Sequence, residues 1–463
     1  ICSRATPDLK ILQIGVGNFA ATHQKDAGDK TNNSSTTQIG GFNGALVNQK
    51  GGNNNQTTLS VGVGNFAATS QTGVQTNGRT NESSTLQFGA FNKSFVGQTG
   101  GNNDQGTLQI GVGNLSLTGQ NSNAQGATND STTFQVGKGN SAVTSQLSSG
   151  GPAQQGSINT TLHTTSGKYW TKDLKLSYPY YAWNQHNGVD STTSFSVPVT
   201  MPAYYGGVNT SATVQLGVGN KAFANQVSPG GRTGAFPVSS SATSPIPVIA
   251  PSLAGAWGLS SASTSSAPVY PTITTTVATP DLIALNGVDN NALTLQIGKD
   301  NSAFTLQSGA SLLPASNNSA TVQIGKENFA LASQTNGLNA QATLQIGEKN
   351  KAVTLQSNSP VSATLNAAAT VQVGSRNKAL TSQIADPTIG ANGSLIAQLG
   401  NNNKAIAAQT TGLQPMIGAL NTQATVQVGN GNLAVTAQNS ASVTNTSVTA
   451  QFGSHNTAIT VQK

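Results

Sequence analysis

Residues 320–334 read ATVQIGKENFALASQ, and alternate residues of this stretch form two chemically different faces. One face carries amides and small residues, with Gln323 and Asn328 among them. The other face is apolar and includes Val322 and Leu331. Alternation with period two and an excess of β-branched residues predict strands, and the Gly-x-x-Asn between them predicts a tight turn.

The same unit, Gln-x-Gly-x-x-Asn-x-Ala-x-x-x-Gln, recurs 14 times along the chain. Ser60 takes the first position in one copy, and Ser94 and Ser116 take the Ala position in two others. Copies spaced mostly by 22 to 29 residues predict a parallel all-β solenoid of stacked strand-turn-strand arches. In such a stack equivalent residues lie above one another, so we expect Asn and Gln to form ladders of amide hydrogen bonds.

We predict that the amides of the unit line the interior of the arches, at Gln13, Asn18, Gln24, Gln38, Asn43, Gln49, Asn65, Gln71, Gln87, Asn92, Gln98, Gln109, Asn114, Gln120, Gln135, Asn140, Gln146, Gln215, Asn220, Gln226, Gln296, Asn301, Gln307, Gln323, Asn328, Gln334, Gln345, Asn350, Gln356, Gln372, Asn377, Gln383, Gln398, Asn403, Gln409, Gln427, Asn432, Gln438, Gln451, Asn456 and Gln462. We expect the glycine of each unit to form the turn, at Gly15, Gly40, Gly62, Gly89, Gly111, Gly137, Gly217, Gly298, Gly325, Gly347, Gly374, Gly400, Gly429 and Gly453.

A second period of 47 to 49 residues overlies the first, because copies resemble their next-but-one neighbours. Near the N-terminus, IGVGNFAATHQ and VGVGNFAATSQ alternate with IGGFNGALVNQ and FGAFNKSFVGQ. Either each copy is one rung, giving a column of about 67 Å, or each rung holds two copies and the rise halves. We favour two repeats per rung.

Composition limits the classes of protein to consider. Charged residues are only 8% of the chain, against about 25% in ordinary domains. The net charge is +7, but Lys and Arg are dispersed singly, which argues against nucleic-acid binding. No apolar run is long enough for a transmembrane segment, and the single cysteine, Cys2, excludes an internal disulfide.

Two long inserts interrupt the repeats and carry 12 of the 17 prolines, all three Trp and all seven Tyr. Aromatic residues are strong interface anchors, so we name as candidate contact residues Tyr169, Trp170, Tyr178, Tyr180, Tyr181 and Trp183. The predicted organisation is an N-terminal tail (1–8), repeats 1–6 (9–146), insert 1 (147–212), repeat 7 (213–226), insert 2 (227–290) and repeats 8–14 (291–463).

The unit resembles the curlin repeat of bacterial curli subunits, and it covers the whole chain apart from the two inserts. The resemblance implies a secreted subunit that forms a functional amyloid, a cross-β fibre at the cell surface that contributes to biofilm matrix and adhesion. It also implies interior Gln, Asn and Ala positions, and an outer-membrane export pore and a nucleator as partners. We expect no cofactor.

The chain departs from the familiar curlin subunit in its length, its inserts and its apolar outward positions. At the centre of the second strand these positions form a candidate apolar stripe, Leu46, Phe95, Leu117, Val143, Phe223, Phe304, Leu331, Val353, Leu380, Ile406, Val435 and Ile459. Such a stripe exceeds what a soluble monomer ordinarily exposes. We therefore expect it to pack against a second column of arches in the same chain.

Other kinds of site fit the sequence poorly. Gly15 to Ala20 matches a dinucleotide-binding fingerprint, but no helix follows it. The four His lack metal-ligand spacing, and no grouping of residues suggests catalysis, so we expect neither a metal site nor an enzyme. The expected function is a fibre subunit that polymerises through open edges; the alternatives are a monomeric surface adhesin with ligand-binding inserts and, last, an ice-binding solenoid.

Overall fold

The computed structural model describes residues 8–25, 31–73, 79–122, 127–150, 154–164, 169–175, 180–186, 191–201, 205–232, 238–243, 272–277, 284–311, 315–359, 364–385, 390–411, 419–440 and 444–462. For 154–201, 231–243, 272–277 and 284–285, only the backbone of those residues is described. The chain divides into two compact units. The first contains all 14 repeats, and we call it the column; the second contains most of the two inserts.

Two parallel sheets of 14 strands each build the column. The first sheet contains, in spatial order, β1(Asp8–Val16), β3(Asn32–Gly41), β5(Asn53–Val63), β7(Thr80–Ala90), β9(Asn103–Val112), β11(Thr128–Lys138), β17(Val208–Val218), β23(Asp289–Lys299), β26(Ser316–Lys326), β28(Leu338–Glu348), β30(Leu365–Ser375), β32(Gly390–Asn401), β34(Ala419–Asn430) and β36(Thr444–Ser454). The second sheet contains β2(Phe19–Lys25), β4(Gly44–Lys50), β6(Phe66–Gly73), β8(Lys93–Gly100), β10(Leu115–Ser122), β12(Ser141–Ser149), β18(Lys221–Pro229), β24(Ser302–Ser308), β27(Phe329–Thr335), β29(Lys351–Asn358), β31(Lys378–Ala385), β33(Lys404–Thr411), β35(Leu433–Ser440) and β37(Thr457–Gln462).

Each repeat forms one rung, with one strand in each sheet, so the predicted parallel β-solenoid is confirmed. Consecutive copies pair in register: Gln13 lies beside Gln38, and Gln296 lies beside Gln323. The register survives both inserts, since Gln135 pairs with Gln215 although 80 residues separate them. The prediction of two repeats per rung is therefore wrong, and the chain forms one column rather than two.

The two-copy period has a different cause, which lies in the links between rungs. After the second, fourth and ninth rungs the link is two residues, as at 51–52 and 336–337, whereas the links at 26–31 and 74–79 contain six. Neighbouring turns are also complementary in size: a Cβ on Gly17 would lie 2.7 Å from the ring of Phe42. A small turn residue in one rung thus accommodates a phenyl ring in the next.

The arch turn depends on a residue in the left-handed region one position before the conserved Asn. Glycine serves at Gly17 and Gly113, but Phe42, Glu327 and Arg376 hold φ between 55° and 59° there. Two positions earlier the requirement for glycine is absolute. A Cβ on Gly325 (φ 123°) would lie 2.0 Å from the carbonyl oxygen of Gly347 in the next rung.

The second unit is built from antiparallel strands, β13(Gln154–Thr164) with β16(Ser191–Met201), β14(Tyr169–Lys175) with β15(Tyr180–His186), and β20(Val238–Thr243) with β21(Thr272–Val277). Short strands β19(Gly231–Arg232), β22(Ala284–Gly287) and β25(Ala310–Ser311), which belong almost entirely to the first unit, form a separate small sheet. The seventh rung spans Val208–Pro229, so its strands extend beyond the boundaries inferred from the sequence. In the described ranges no helix is long and apolar enough to cross a bilayer.

Candidate assembly surfaces

The interior of the column is polar, and its glutamines form two ladders that follow the rungs. Away from the two ends, the predicted interior amides are almost completely inaccessible to solvent, as for Gln323 and Asn328. The second glutamine of each unit donates from Nε2 to Oε1 of the next rung at 2.7–2.9 Å through all 14 rungs, from Gln24→Gln49 to Gln438→Gln462. The first glutamine forms a similar ladder, interrupted where Ser60 replaces Gln.

The same glutamines also join the two sheets. Gln38 Nε2 donates to the carbonyl oxygen of Phe19 on the opposite strand, and Gln49 Nε2 donates to that of Asn33. Where the next rung supplies a glutamine oxygen, the amide nitrogen uses both hydrogens, one along the column and one across the arch, as Gln323 does toward Gln345 and the carbonyl oxygen of Ser302. This satisfies amides that would be costly to bury unpaired.

The asparagine of each unit closes the arch turn. Asn328 Nδ2 donates to Asn301 Oδ1 and to the carbonyl oxygen of Gly347, at 3.1 and 2.9 Å. Asn328 Oδ1 accepts the backbone N–H of Asn350 in the next rung. One side chain thus contacts the rung before it and the rung after it.

A third ladder was missed by the sequence analysis. Six residues before the first glutamine position, 13 of the 14 copies carry asparagine, at Asn32, Asn54, Asn81, Asn103, Asn129, Asn209, Asn290, Asn317, Asn339, Asn366, Asn392, Asn421 and Asn445. Neighbouring asparagines of this ladder bond side chain to side chain, as Asn81 Nδ2 donates to Asn54 Oδ1 at 2.9 Å. They also donate to carbonyls at the links, as Asn54 does to Gly51, so each arch is closed by amides at both ends.

The apolar stripe does not pack against a second column, which corrects the prediction that both faces are buried. Leu331 and Val353 are half-buried by their neighbours along the stripe, and Leu46 and Leu380 remain 39% and 36% exposed. Phenylalanines stack between rungs, as Phe304 does on Phe329 with ring centroids 5.6 Å apart. The outer face of the second sheet is thus an apolar surface that faces solvent.

The outer faces also carry the few charges. Hydrogen bonding from Lys326 holds the pKa of Glu327 below its usual 4.5, and Lys349 pairs with Glu327 at 3.6 Å. On the first sheet, partial burial of the carboxyl and then the charge of Asp104 raise the pKa of Asp130 above its usual 3.8. In the described residues no group of His, Cys, Asp and Glu could hold a metal ion.

Among the described residues, the two ends of the column are open strand edges. At one end β1 is exposed along its whole length, and at the other β36 and β37 have a partner on one side only. The end rungs also expose more apolar surface than inner ones. In the apolar stripe, Ile459 of the last rung is 69% exposed, whereas Leu380 of an inner rung is 36% exposed.

The remaining sequence-based candidates lie in the first arch turn, on the paired strands β14 and β15, or outside the described residues. Gly15 to Ala20, the apparent dinucleotide motif, forms the arch turn of the first rung. Tyr169 and Trp170 lie on β14, and Tyr180, Tyr181 and Trp183 lie on β15, with only their backbone described. Tyr178 and Cys2 lie outside the described residues.

No protein-family model matches this chain, and no curated protein shows significant similarity to it.

Proposed function

We propose that this protein is the structural subunit of an extracellular cross-β fibre, in which copies join head to tail through the open ends of the column. The observation that carries the proposal is the polarity of the amide ladders at those ends. By resemblance to the curlin repeat, the fibre serves biofilm matrix and surface adhesion, and its subunits use an export pore and a nucleator.

The first rung presents hydrogen-bond acceptors. In the described part of the chain, Gln13 donates to Gln38, and Gln24 donates to Gln49 and to the carbonyl oxygen of Asn32, but no donor reaches the Oε1 of Gln13 or Gln24. From the second rung onward, each glutamine Oε1 of the two ladders accepts a hydrogen bond from the glutamine of the preceding rung. The one exception is Gln87 Oε1, which accepts from Ser60, the residue that replaces the first glutamine in the third rung.

The last rung presents the complementary donors. Gln451 donates only to the carbonyl oxygen of Leu433, and Gln462 only to that of Thr446. Each amide nitrogen keeps one hydrogen, directed along the column as in inner rungs. The turn asparagine of the last rung has the opposite role and leaves an acceptor. Asn456 Oδ1 accepts no bond in the described residues, whereas Asn432 Oδ1, in the preceding rung, accepts the backbone N–H of Asn456.

The last rung of one copy therefore matches the first rung of the next as two inner rungs match each other. Joining them would pair the backbone edges, continue both glutamine ladders and cover the exposed apolar side chains of the end rungs. Burial of that apolar surface would supply the main driving force.

Two end-blocked variants test the proposal. Gln13→Lys with Gln24→Lys places charges in the interior of the first rung, and Gln451→Lys with Gln462→Lys does so in the last. We expect wild type to form long unbranched filaments in negative-stain microscopy, each variant alone to remain as single subunits, and their equimolar mixture to stop at dimers. Leu12→Lys and Ala450→Lys change outward positions of the same strands and are the matched controls, expected to polymerise.

Discrete wild-type rods, or filaments formed by either blocked variant, would refute head-to-tail assembly. Discrete rods would instead favour a monomeric surface adhesin. That alternative is supported by the inserts, whose antiparallel strands form a compact unit separate from the column.

A further inference from the structure

Two stacks of like charge, each three rungs long, lie on the outer faces of the two sheets. Glu82, Asp104 and Asp130 stack on the first sheet in rungs 4 to 6. Lys351, Lys378 and Lys404 stack on the second sheet in rungs 10 to 12. All six residues are exposed, and no other outward position of the described rungs holds like charge in three successive rungs.

These stacks work against the stability of the isolated column. Like charges directly opposite each other on paired strands repel, and here each pair is held one strand spacing apart. Among the described residues, no salt bridge reaches any of the six side chains. Lys351 lies 5.3 Å from the ring centre of Phe329, which leaves its charge unneutralised. The raised pKa of Asp130 has the charge of Asp104 as one of its causes.

The two stacks are complementary in sign, in length and in spacing. Each has three charges, and both spacings are set by the same strand separation of about 4.8 Å. A partner that neutralises all three charges at once must repeat at that spacing, and a second copy of this chain does so. The stacks lie on opposite sheets and are centred six rungs apart, so one copy cannot join its own.

We propose that copies of this chain associate side by side, with the acidic stack of one copy on the lysine stack of another. The contact joins the first sheet of one copy to the second sheet of its neighbour, and therefore brings a partner to the apolar stripe. Because the two faces of the contact differ, it is heterologous, and each added copy presents a free face to the next. The inference extends the proposed fibre to bundles, but the contact itself does not require head-to-tail assembly.

Zero-length carbodiimide cross-linking of the full chain, followed by mass spectrometry, tests this contact. The reagent joins a carboxyl to an amine only when the two groups touch. Within one copy the centres of the stacks lie about 29 Å apart, and between head-to-tail neighbours about 38 Å, so neither arrangement can be cross-linked. We expect cross-linked peptides that join a carboxyl of the acidic stack (Glu82, Asp104 or Asp130) to an amine of the lysine stack (Lys351, Lys378 or Lys404). High salt should abolish these cross-links because it screens the attraction between the stacks.

Charge reversal supplies the second measurement. Asp104→Lys and Lys378→Glu each place a like charge at the centre of the contact, and we expect each to lose cross-links at the flanking positions. The double variant restores opposite charges at all three levels and should regain them. Lys221→Glu is the matched control, because Lys221 has the same place in its rung but stacks between Ser141 and Ser302.

Absence of these cross-links in wild type would overturn the proposal, as would a double variant that behaves like the single ones. Binding of a soluble polyanion such as polyglutamate to the lysine stack, without inter-copy cross-links, would assign that stack to another partner and also overturn it. Head-to-tail assembly is measured separately by filament length. Filaments that keep their length but lack the cross-links refute the side-by-side contact alone.

Discussion

At the scale of single residues, the column requires particular atoms rather than general polarity. The glycine of every unit but the last is needed because the carbonyl of the next rung occupies the space of a Cβ. The turn asparagine is needed because its side chain contacts two neighbouring rungs at once. Both requirements follow from stacking identical residues at the spacing of paired strands.

Gly325→Ala should therefore be severe. The new Cβ would lie 2.0 Å from the carbonyl oxygen of Gly347, and alanine disfavours a φ of 123°. We expect a loss on the order of 3 kcal/mol in the free energy of unfolding, measured by chemical denaturation. Gly119→Ala is the control, because a Cβ there meets no atom within 4 Å. An equal loss of unfolding free energy in the two variants would contradict the predicted role of the turn glycines.

Asn328→Lys places a charge where the side chain is only 1% exposed and bonded to two neighbouring rungs. We expect a loss of about 3 kcal/mol or more, since the buried ammonium group would lack a partner. Asn318→Lys is the control, because Asn318 is exposed on the outer face of the same rung. The midpoints of thermal unfolding of the two variants should differ clearly; similar midpoints would argue against the interior ladder.

At the scale of the strands, the ladders act as continuous elements, and Ser60 marks the one gap in the first glutamine ladder. Gln38 Nε2 donates to the carbonyl oxygen of Phe19 but finds no glutamine oxygen in the next rung. Ser60 Oγ reaches only Gln87 Oε1, at 3.1 Å. In the second ladder, which has no gap, each glutamine Nε2 donates to the glutamine Oε1 of the next rung, and this bond is absent between Gln38 and the third rung.

Ser60→Gln should fill the gap, because all the other 13 rungs accommodate glutamine at this position. The new amide would accept from Gln38 and donate to Gln87 and to the carbonyl of Gly44. We expect a gain of about 1 kcal/mol in the free energy of unfolding, read from the denaturation midpoint. Ser60→Ala, which removes the bond to Gln87, should lower the midpoint. A destabilised glutamine variant would show that the third rung differs in shape from the rest.

The sequence predicted the strands, the turns and the polar interior because each is repeated at fixed spacing. It did not predict the number of repeats per rung. Alternating copies can arise from paired repeats or from neighbours of complementary size, and Gly17 against Phe42 shows that the second cause applies here. The asparagines of the third ladder were visible at constant spacing. They were missed because the unit was taken to begin at its first glutamine.

At the scale of the whole molecule, the column keeps its register across long interruptions. Rungs 6 and 7 pair in register although insert 1 separates them, and the residues of that insert belong largely to the other compact unit. Insert 2 likewise separates rungs 7 and 8, which also pair in register, and elsewhere links of two to seven residues join successive rungs. The length of a link therefore does not determine the stacking of the rungs that it joins.

Replacing residues 151–206 with the six-residue link 74–79 should accordingly leave the column intact. We expect an unchanged strand signal in circular dichroism and a retained reflection near 4.8 Å in fibre diffraction. The matched comparison is the same replacement in the Gly325→Ala background, which should lose both signals first on heating. A shortened chain without the 4.8 Å reflection would show that the insert is required for folding.

In the proposed head-to-tail fibre, the turn glycines also have a consequence for the fidelity of growth. A Cβ at this position points from each rung to the carbonyl oxygen of the following rung, so the first-rung end offers an incoming strand a template in which one position tolerates no Cβ. A foreign polypeptide of similar hydrophobicity that carries any side chain there would be rejected by a collision with the backbone itself. Discrimination against cross-seeding by unrelated amyloid-forming chains is therefore built into the turn, through an atom that glycine lacks.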